Sequence, residues 1–230
     1  MEAPPVVYKA VRAVGVLRPT LQAAPLPGQA FADRLDVRGT AFWVKSAGVL
    51  VTCAHVIQDL VVVPIEIAGL LVVGNGNGYH RATIGSVDFD HDLAILRLPP
   101  ETPPDIVERE LKDGLEIGDG IPSVGSKVAY AGFPFGTLLL SSTHAPTYSE
   151  GVVGSEIRQG QDRRAPYRRE IQVSGSVAGG FSGAPIVSTD APAKVIGVLS
   201  NSPSASAGQA SIFMGVSHAH LQALADLARS

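Results

Sequence analysis

Residues 39–52 of this 230-residue chain read GTAFWVKSAGVLVT, and they contain two short runs that are typical of β-strands. Residues 40–44 and 48–52 are rich in β-branched and aromatic side chains, and polar residues separate the two runs. Comparable runs occur in both halves of the chain. They predict strands at 13–17, 61–67, 70–73, 81–87, 93–98, 127–133, 149–157, 170–174, 184–188, 195–200 and 211–216.

Helical periodicity is clear only near the end of the sequence. Residues 218–228 place Leu221, Leu224 and Ala225 on one face, and a short turn of helix is expected at 54–60. Many short strands without strand–helix alternation predict an all-β barrel or sandwich rather than an α/β sheet.

The strands fall into two blocks. Residues 99–124 hold two Pro-Pro pairs and a charged, acidic-leaning middle, which is typical of a linker. We therefore expect an N-terminal β unit at 1–98, a second β unit at 125–216 and a C-terminal helix at 217–230.

Composition narrows the function classes. A hydrophobic fraction of 45% supports a sizeable core, and a formal net charge of −3 indicates neither a nucleic-acid nor an anionic-membrane partner. The only cysteine, Cys53, leaves no internal disulfide. The first residues have no secretory-signal pattern, and the most apolar stretch, 60–73, is too short to span a membrane. We expect a cytoplasmic protein without a metal or other cofactor.

Three short segments carry residues suited to acyl-transfer chemistry. His55 follows the apolar run 48–52, and a histidine there can act as a general base at neutral pH. Asp92 directly precedes the apolar run 93–98, where a carboxylate needs hydrogen bonds and could orient an imidazole through its ring N–H. Residues 179–183 read GGFSG, so glycines flank Ser182 and allow a tight turn that aims the backbone N–H groups of Gly180 and Ser182 at one point.

Each segment alone also has a purely structural interpretation, as a strand end, a strand cap or a glycine-rich turn. Their order along the chain, histidine, aspartate, serine, is that of the chymotrypsin type of triad. His55 and Asp92 lie in the first β unit and Ser182 in the second, so the three must converge at a cleft between the units.

Six segments, in the right order over most of residues 39–200, resemble the trypsin-like serine proteases, and more closely the bacterial HtrA-like branch without its PDZ domain. They read GTAFWVKSAGVLVTCAHVI, DHDLAILRL, GSKVAYAGFPFG, EGVVGSEIR, REIQVSGSVAGGFSGAPIV and KVIGVLS. The resemblance implies two packed antiparallel β-barrels with the active site between them and a C-terminal helix. It makes His55 the general base, Asp92 its orienting partner and Ser182 the nucleophile, with the N–H groups of Gly180 and Ser182 as the oxyanion hole.

The resemblance also implies a serine endopeptidase that works through an acyl-enzyme on a protein or peptide substrate. The base of its specificity pocket falls at Ser176 and Val177, and the opposite wall at Ser200, Asn201 and Ser202. Since no carboxylate stands at the base, we expect cleavage after small or medium aliphatic residues rather than after Arg or Lys. The loops at 141–149 and 159–169 could respond to an activating partner protein or a fused domain.

Two positions depart from the family pattern. Phe181 stands where secreted members carry an aspartate that pairs with a newly cut N-terminus, so zymogen cleavage of that kind is not expected. Ala184 replaces the second glycine after the serine, and its methyl group is tolerable if its φ is negative.

Three other kinds of protein share some of these features. A catalytically silent pseudoprotease could use the same cleft to bind peptides by β-strand addition. An α/β-hydrolase needs the order serine, acid, histidine and alternating helices, which this sequence lacks. A metal site built from His55, His91, His218 and His220 is disfavoured, because His218 and His220 are two residues apart in a predicted helix and point to different faces.

Overall fold

A computed structural model describes residues 5–17, 35–62, 69–75, 78–134, 145–159, 168–190, 192–201 and 210–227. The helices are α1 (Val6–Ala10), α2 (Ala54–Val62), α3 (Pro104–Lys112) and α4 (His218–Leu227). The strands of the N-terminal half are β1 (Val11–Leu17), β2 (Leu35–Val44), β3 (Val49–Thr52), β4 (Leu70–Asn75), β5 (Gly78–Arg81), β6 (Thr83–Asp88) and β7 (Leu93–Arg97). Those of the C-terminal half are β8 (Lys127–Gly132), β9 (Thr147–Gln159), β10 (Arg168–Val177), β11 (Pro185–Ser188), β12 (Val195–Asn201) and β13 (Ala210–Ser217).

The N-terminal half is a seven-stranded antiparallel half-barrel in the order β5-β4-β1-β2-β3-β7-β6. Its central strands pair Phe42 with Val51 and Val51 with Ile95, and all three side chains are buried. The register thus aligns apolar side chains across three neighbouring strands, which stabilises the sheet and fixes the ends of β3 and β7 side by side.

The C-terminal half is a closed antiparallel barrel of six strands, in the order β10-β13-β12-β11-β8-β9. Its interior holds a cluster of buried side chains that includes Tyr130, Ile171, Phe181 and Ile186. Together with the half-barrel and the C-terminal helix α4, this confirms the predicted all-β fold class.

A larger apolar cluster joins the two halves. It contains Trp43 and Leu96 of the half-barrel, Val198 of the closed barrel and Leu221 and Leu224 of α4. The cleft expected between the β units therefore has one continuous core beneath it.

The segment predicted as a linker, residues 99–124, contains the helix α3, which the sequence analysis did not anticipate. Glu110 of α3 forms a buried ion pair with Arg12, with 2.5 Å between Oε2 and Nε. The N–H of Leu115 donates to Trp43 O of β2, and its carbonyl accepts the N–H of Lys45, which follows β2. The carbonyl of Glu116 accepts the N–H of Val195 of β12. This segment is thus hydrogen-bonded to both halves.

The observed helices differ from the predicted secondary structure at two further places. The short helix α1 was not predicted. The strand predicted at 61–67 is wrong at its start, because Val61 and Val62 form the end of α2, and 63–67 lie outside the described residues. No helix within the described ranges is both long and apolar enough to cross a bilayer.

Candidate active site

His55 lies in the first turn of α2, directly after β3. The buried strand β3 fixes the backbone at this point, while 43% of the histidine side chain stays exposed. The backbone of His55 is therefore fixed, while its imidazole remains accessible to solvent.

Asp92 lies in the turn between β6 and β7 and has a φ of 55°, in the left-handed region that non-glycine residues rarely adopt. Its carbonyl oxygen accepts a hydrogen bond from the backbone N–H of Ala54 at 3.2 Å. Its carboxylate faces His55 and accepts the His55 backbone N–H at 2.9 Å. The turn thereby sets the start of α2 against the carboxylate.

The side chains of His55 and Asp92 are hydrogen-bonded to each other. His55 Nδ1 lies 2.8 Å from Oδ2 and 3.0 Å from Oδ1 of Asp92. An ionised carboxylate only accepts, so Nδ1 carries the proton and Nε2 of the neutral ring keeps its lone pair. This is the tautomer that a general base needs.

Ser200 of β12 completes the environment of Asp92, since its hydroxyl donates to Asp92 Oδ2 at 2.5 Å. Burial raises the pKa of Asp92, but hydrogen bonds from the His55 side chain, Ser200 and the His55 backbone outweigh the effect of burial. The pKa of Asp92 is therefore below its ordinary value, and the carboxylate is ionised at neutral pH.

Ser182 lies in a double turn between β10 and β11. The N–H of Phe181 donates to Ala178 O at 3.3 Å and that of Ala184 to Phe181 O at 2.8 Å. Gly180 and Gly183 have φ values of 102° and 89°, and a Cβ at either position would collide with a backbone carbonyl oxygen, that of Phe133 or Thr40. Ala184 is outside the left-handed region, so its methyl group is accommodated as expected.

Two backbone N–H groups of this double turn have no hydrogen-bond acceptor among the described residues. The N–H groups of Phe181, Gly183 and Ala184 are bonded within the protein, whereas those of Gly180 and Ser182 donate to no acceptor among the described residues. They are the two groups predicted to form the oxyanion hole.

The hydroxyl of Ser182 donates to the carbonyl oxygen of Ser200 at 3.5 Å. Ser200 therefore contacts both Asp92, through its hydroxyl, and Ser182, through its carbonyl. Among the described residues the hydrogen bonds of His55 go to Asp92, and none joins His55 to Ser182. Ser200 thus links Asp92 to Ser182, and His55 joins this network through Asp92.

A comparison with protein-family models matches residues 39–198 to the trypsin-like peptidase domain. The chain belongs to this family. The match spans every segment that carries His55, Asp92 and Ser182.

Curated relatives agree with this assignment. The chain is 29% identical over 191 residues, 83% of its length, to a probable periplasmic serine endoprotease DegP-like of Chlamydia muridarum (strain MoPn / Nigg), and 26% identical over 162 residues, 70% of its length, to the serine protease HTRA3 of Homo sapiens. It spans about a third of the length of these relatives, 32% of each.

Solved structures share the fold. The active form of the Rv3671c protease from M. tuberculosis superimposes with a TM-score of 0.64 at 21% identity, covering 95% of this chain and 82% of the other. The HtrA-type protease AlgW with a decapeptide gives 0.66 at 20% identity, covering 96% of this chain and 64% of the other. The half-barrel, closed barrel and C-terminal helix are thus a chymotrypsin-like double barrel.

Thr40 of β2 contacts the turn around Ser182, and the sequence analysis did not single it out. Its N–H donates to Ser182 O at 2.8 Å and its hydroxyl to Gly180 O at 2.8 Å. The same hydroxyl accepts the N–H of Phe133 at 3.1 Å. Thr40 is fully buried, and it holds the turn around Ser182 from the opposite half of the molecule. In the sequence it reads only as a strand residue, so no local signal marks it.

The predicted pocket residues lie at strand ends near Ser182. Ser176 and Val177 end β10, and Ser200 and Asn201 end β12, whereas Ser202 lies outside the described residues. Tyr130 of β8, which the sequence analysis did not single out, donates its hydroxyl to Ser176 O at 2.9 Å. It thereby fixes the backbone at the expected base of the pocket.

Phe181, which stands where an aspartate would form an ion pair, is held by apolar packing instead. Its side chain is buried, and its ring meets the edge of the Tyr130 ring with centroids 5.7 Å apart and planes at 75°. The residue before Ser182 is therefore held by the same tyrosine that holds Ser176.

Cys53 lies beneath the His55–Asp92 pair. Cys53, His55 and Asp92 offer three potential metal-ligating atoms within 4.8 Å of one another. However, Nδ1 of His55 and the carboxylate of Asp92 are bonded to each other, and Cys53 Sγ donates to Leu199 O at 3.2 Å. The arrangement is that of a hydrogen-bonded histidine–carboxylate pair over a packed thiol.

We expect Cys53 to be unreactive toward iodoacetamide in the folded protein. Burial raises the pKa of its thiol well above the ordinary value, and the neighbouring Asp92 charge raises it further. Mass spectrometry of protein treated at pH 8 should show no adduct, whereas urea-unfolded protein should gain one. Equal rates in the two states would contradict the packing described here.

Proposed function

We propose that this chain is a serine endopeptidase in which Ser182 is the nucleophile, His55 the general base and Asp92 the residue that orients His55. The observation that carries the proposal is the His55–Asp92–Ser200 hydrogen-bond network beside a serine in a glycine-rich turn. Membership of the trypsin-like peptidase family supports it.

The proposed reaction is acyl transfer. The hydroxyl of Ser182 attacks a peptide carbonyl carbon while Nε2 of His55 takes its proton, and the protonated imidazole then gives that proton to the leaving amine. Water repeats the sequence on the acyl-enzyme and releases the acid. Asp92 stays ionised throughout and stabilises the imidazolium, in agreement with its lowered pKa.

Negative charge on the carbonyl oxygen would be stabilised by the N–H groups of Gly180 and Ser182. Removing one such donor from an enzyme typically costs about 3–4 kcal/mol of transition-state stabilisation. The hydrogen bond between His55 and Ser182 would form as substrate binds, because such bonds are often long in free enzymes and shorten in the complex.

The pocket residues favour a small or medium aliphatic side chain before the scissile bond. Ser176 and Val177 bring no carboxylate to the expected base of the pocket, so nothing there would stabilise a buried Lys or Arg side chain. Ser200, near the end of β12, would form part of the opposite wall.

Digestion of a residue-randomised peptide library tests both the activity and the preference. We expect products that end in small or medium aliphatic residues with the wild type and no products with Ser182→Ala. Ser176→Asp should add cleavage after Lys and Arg, because it places a carboxylate at the pocket base. Enrichment of Lys or Arg with the wild type would refute the pocket assignment.

Activity that depends on a partner protein or a fused domain is part of this proposal. The Rv3671c protease, which shares the fold, has been solved in forms described as active and inactive. In this chain, activation would form the hydrogen bond between His55 and Ser182. Of the two loops expected to respond, residues 141–144 and 160–167 lie outside the described residues.

A further inference from the structure

The C-terminal helix α4 lies against β7, the strand that follows the proposed catalytic acid. It directly follows β13 of the closed barrel, yet its buried Leu221, Leu224 and Ala225 join the apolar cluster shared with the half-barrel. Besides β12 and β13 it packs on β7, which begins one residue after Asp92. A helix of one half thus reaches the Asp92 turn of the other.

The contact at that turn is a pair of stacked histidine rings. The ring of His220, in α4, lies on the ring of His91 with centroids 3.9 Å apart and planes at 23°. His91 is the residue immediately before Asp92. Stacking at this distance restricts the plane of the His91 ring and hence the path of the backbone that carries it.

His91 is also held from within its own turn. Asp88 accepts the backbone N–H of His91 at 3.1 Å through Oδ1, and Asp88 Oδ2 lies 2.6 Å from Nδ1 of His91. The side chain of His91 is therefore fixed at one ring nitrogen by Asp88 and on one ring face by His220.

The turn needs such support because of the backbone of Asp92. Its positive φ is unique among the described non-glycine residues, and a residue in that region costs on the order of 1 kcal/mol or more. Strained residues persist where surrounding contacts fix them. The orientation of the Asp92 carboxylate toward His55 depends on the same backbone.

We propose that His220 is a positioning residue, which holds the turn of residues 88–92 through the ring of His91 and so aims the Asp92 carboxylate at His55. This inference rests on the proposed function, since it assigns the geometry of the same acid. It concerns the orientation of Asp92 and not contact with the substrate.

The test compares two replacements of His220 with a control on the same helix. His220→Ala removes the stacking face, whereas His220→Phe keeps an aromatic ring there. Gln222→Ala is the control, because the Gln222 side chain donates to Asp226 within α4. With a peptide substrate we expect kcat to fall about tenfold in His220→Ala with KM little changed, and to recover in His220→Phe, while Gln222→Ala behaves as the wild type.

A proton NMR measurement separates this inference from the proposed function. The proton on Nδ1 of His55, bonded to the Asp92 carboxylate, should give a far-downfield signal that is lost in His220→Ala and kept in His220→Phe and Gln222→Ala. If the wild type neither cleaves the peptide nor reacts covalently with a fluorophosphonate probe, the proposed function fails, and this signal still decides the positioning role. An unchanged signal and unchanged kcat in His220→Ala would overturn the inference, as would equal losses in His220→Ala and Gln222→Ala.

Discussion

Replacement of Ser182 by alanine is expected to abolish covalent labelling by a fluorophosphonate probe and to lower kcat for peptide cleavage by a factor on the order of 10⁶. The hydroxyl oxygen of Ser182 is the atom that the probe phosphorylates and the atom that attacks the peptide. The turn around it and the fold would stay intact, because among the described residues the Ser182 hydroxyl makes a single hydrogen bond, to Ser200 O at 3.5 Å. In-gel fluorescence and steady-state kinetics measure the two effects.

Matched variants sharpen this result. His55→Ala should also lose labelling, since no base would then take the serine proton. Ser155→Ala should label as the wild type, because the Ser155 hydroxyl donates to Gln172 on the wall of the closed barrel. A folded wild type that does not label, with or without candidate partners, would point instead to the catalytically silent peptide-binding module.

Replacement of Thr40 by valine is the second change with a large expected effect. Valine keeps the shape of the side chain but leaves Gly180 O and the N–H of Phe133 without the Thr40 hydroxyl. A buried polar group without a partner costs about 1–3 kcal/mol, so we expect a loss of about 2–5 kcal/mol in the free energy of unfolding. Urea titration measures it.

The same substitution should slow catalysis in the protein that remains folded. The Thr40 hydroxyl holds the residue that supplies one N–H of the proposed oxyanion hole, so kcat should fall about 100-fold. Thr40→Ser retains the hydroxyl and should stay within a few-fold of the wild type. Wild-type kcat in Thr40→Val would show that the turn around Ser182 is held by other contacts.

Part of this structure could be predicted from local sequence. Alternating or continuous apolar runs predict the short strands, and the helical periodicity after residue 217 predicts α4. The strand predicted at 61–67 was wrong at its start because a short apolar run such as residues 60–63 suits a helix as well as a strand. The proline pairs and charges of residues 99–124 predict a linker, because the ion pair that fixes α3 joins Glu110 to Arg12, 98 residues away in the sequence.

Some residues of the candidate site are marked by local sequence, and others are placed only by tertiary contacts. His55, Asp92 and Ser182 each follow or precede an apolar run or stand in a glycine-rich turn, so local sequence marks them, although their roles stay predictions. Thr40 contacts Gly180 across 140 positions of sequence, and His91 meets His220 through the docking of α4. Such contacts depend on how two barrels and a helix pack, which no local pattern encodes.

The apolar cluster shared by the two halves has a consequence for how the cleft behaves. Because Trp43, Val198 and Leu224 belong to one cluster, separating the two halves would expose apolar surface on both. The two sides of the cleft are therefore parts of a single cooperative unit rather than bodies on a hinge. We therefore expect the adjustment that brings His55 to Ser182 to come from turns and side chains.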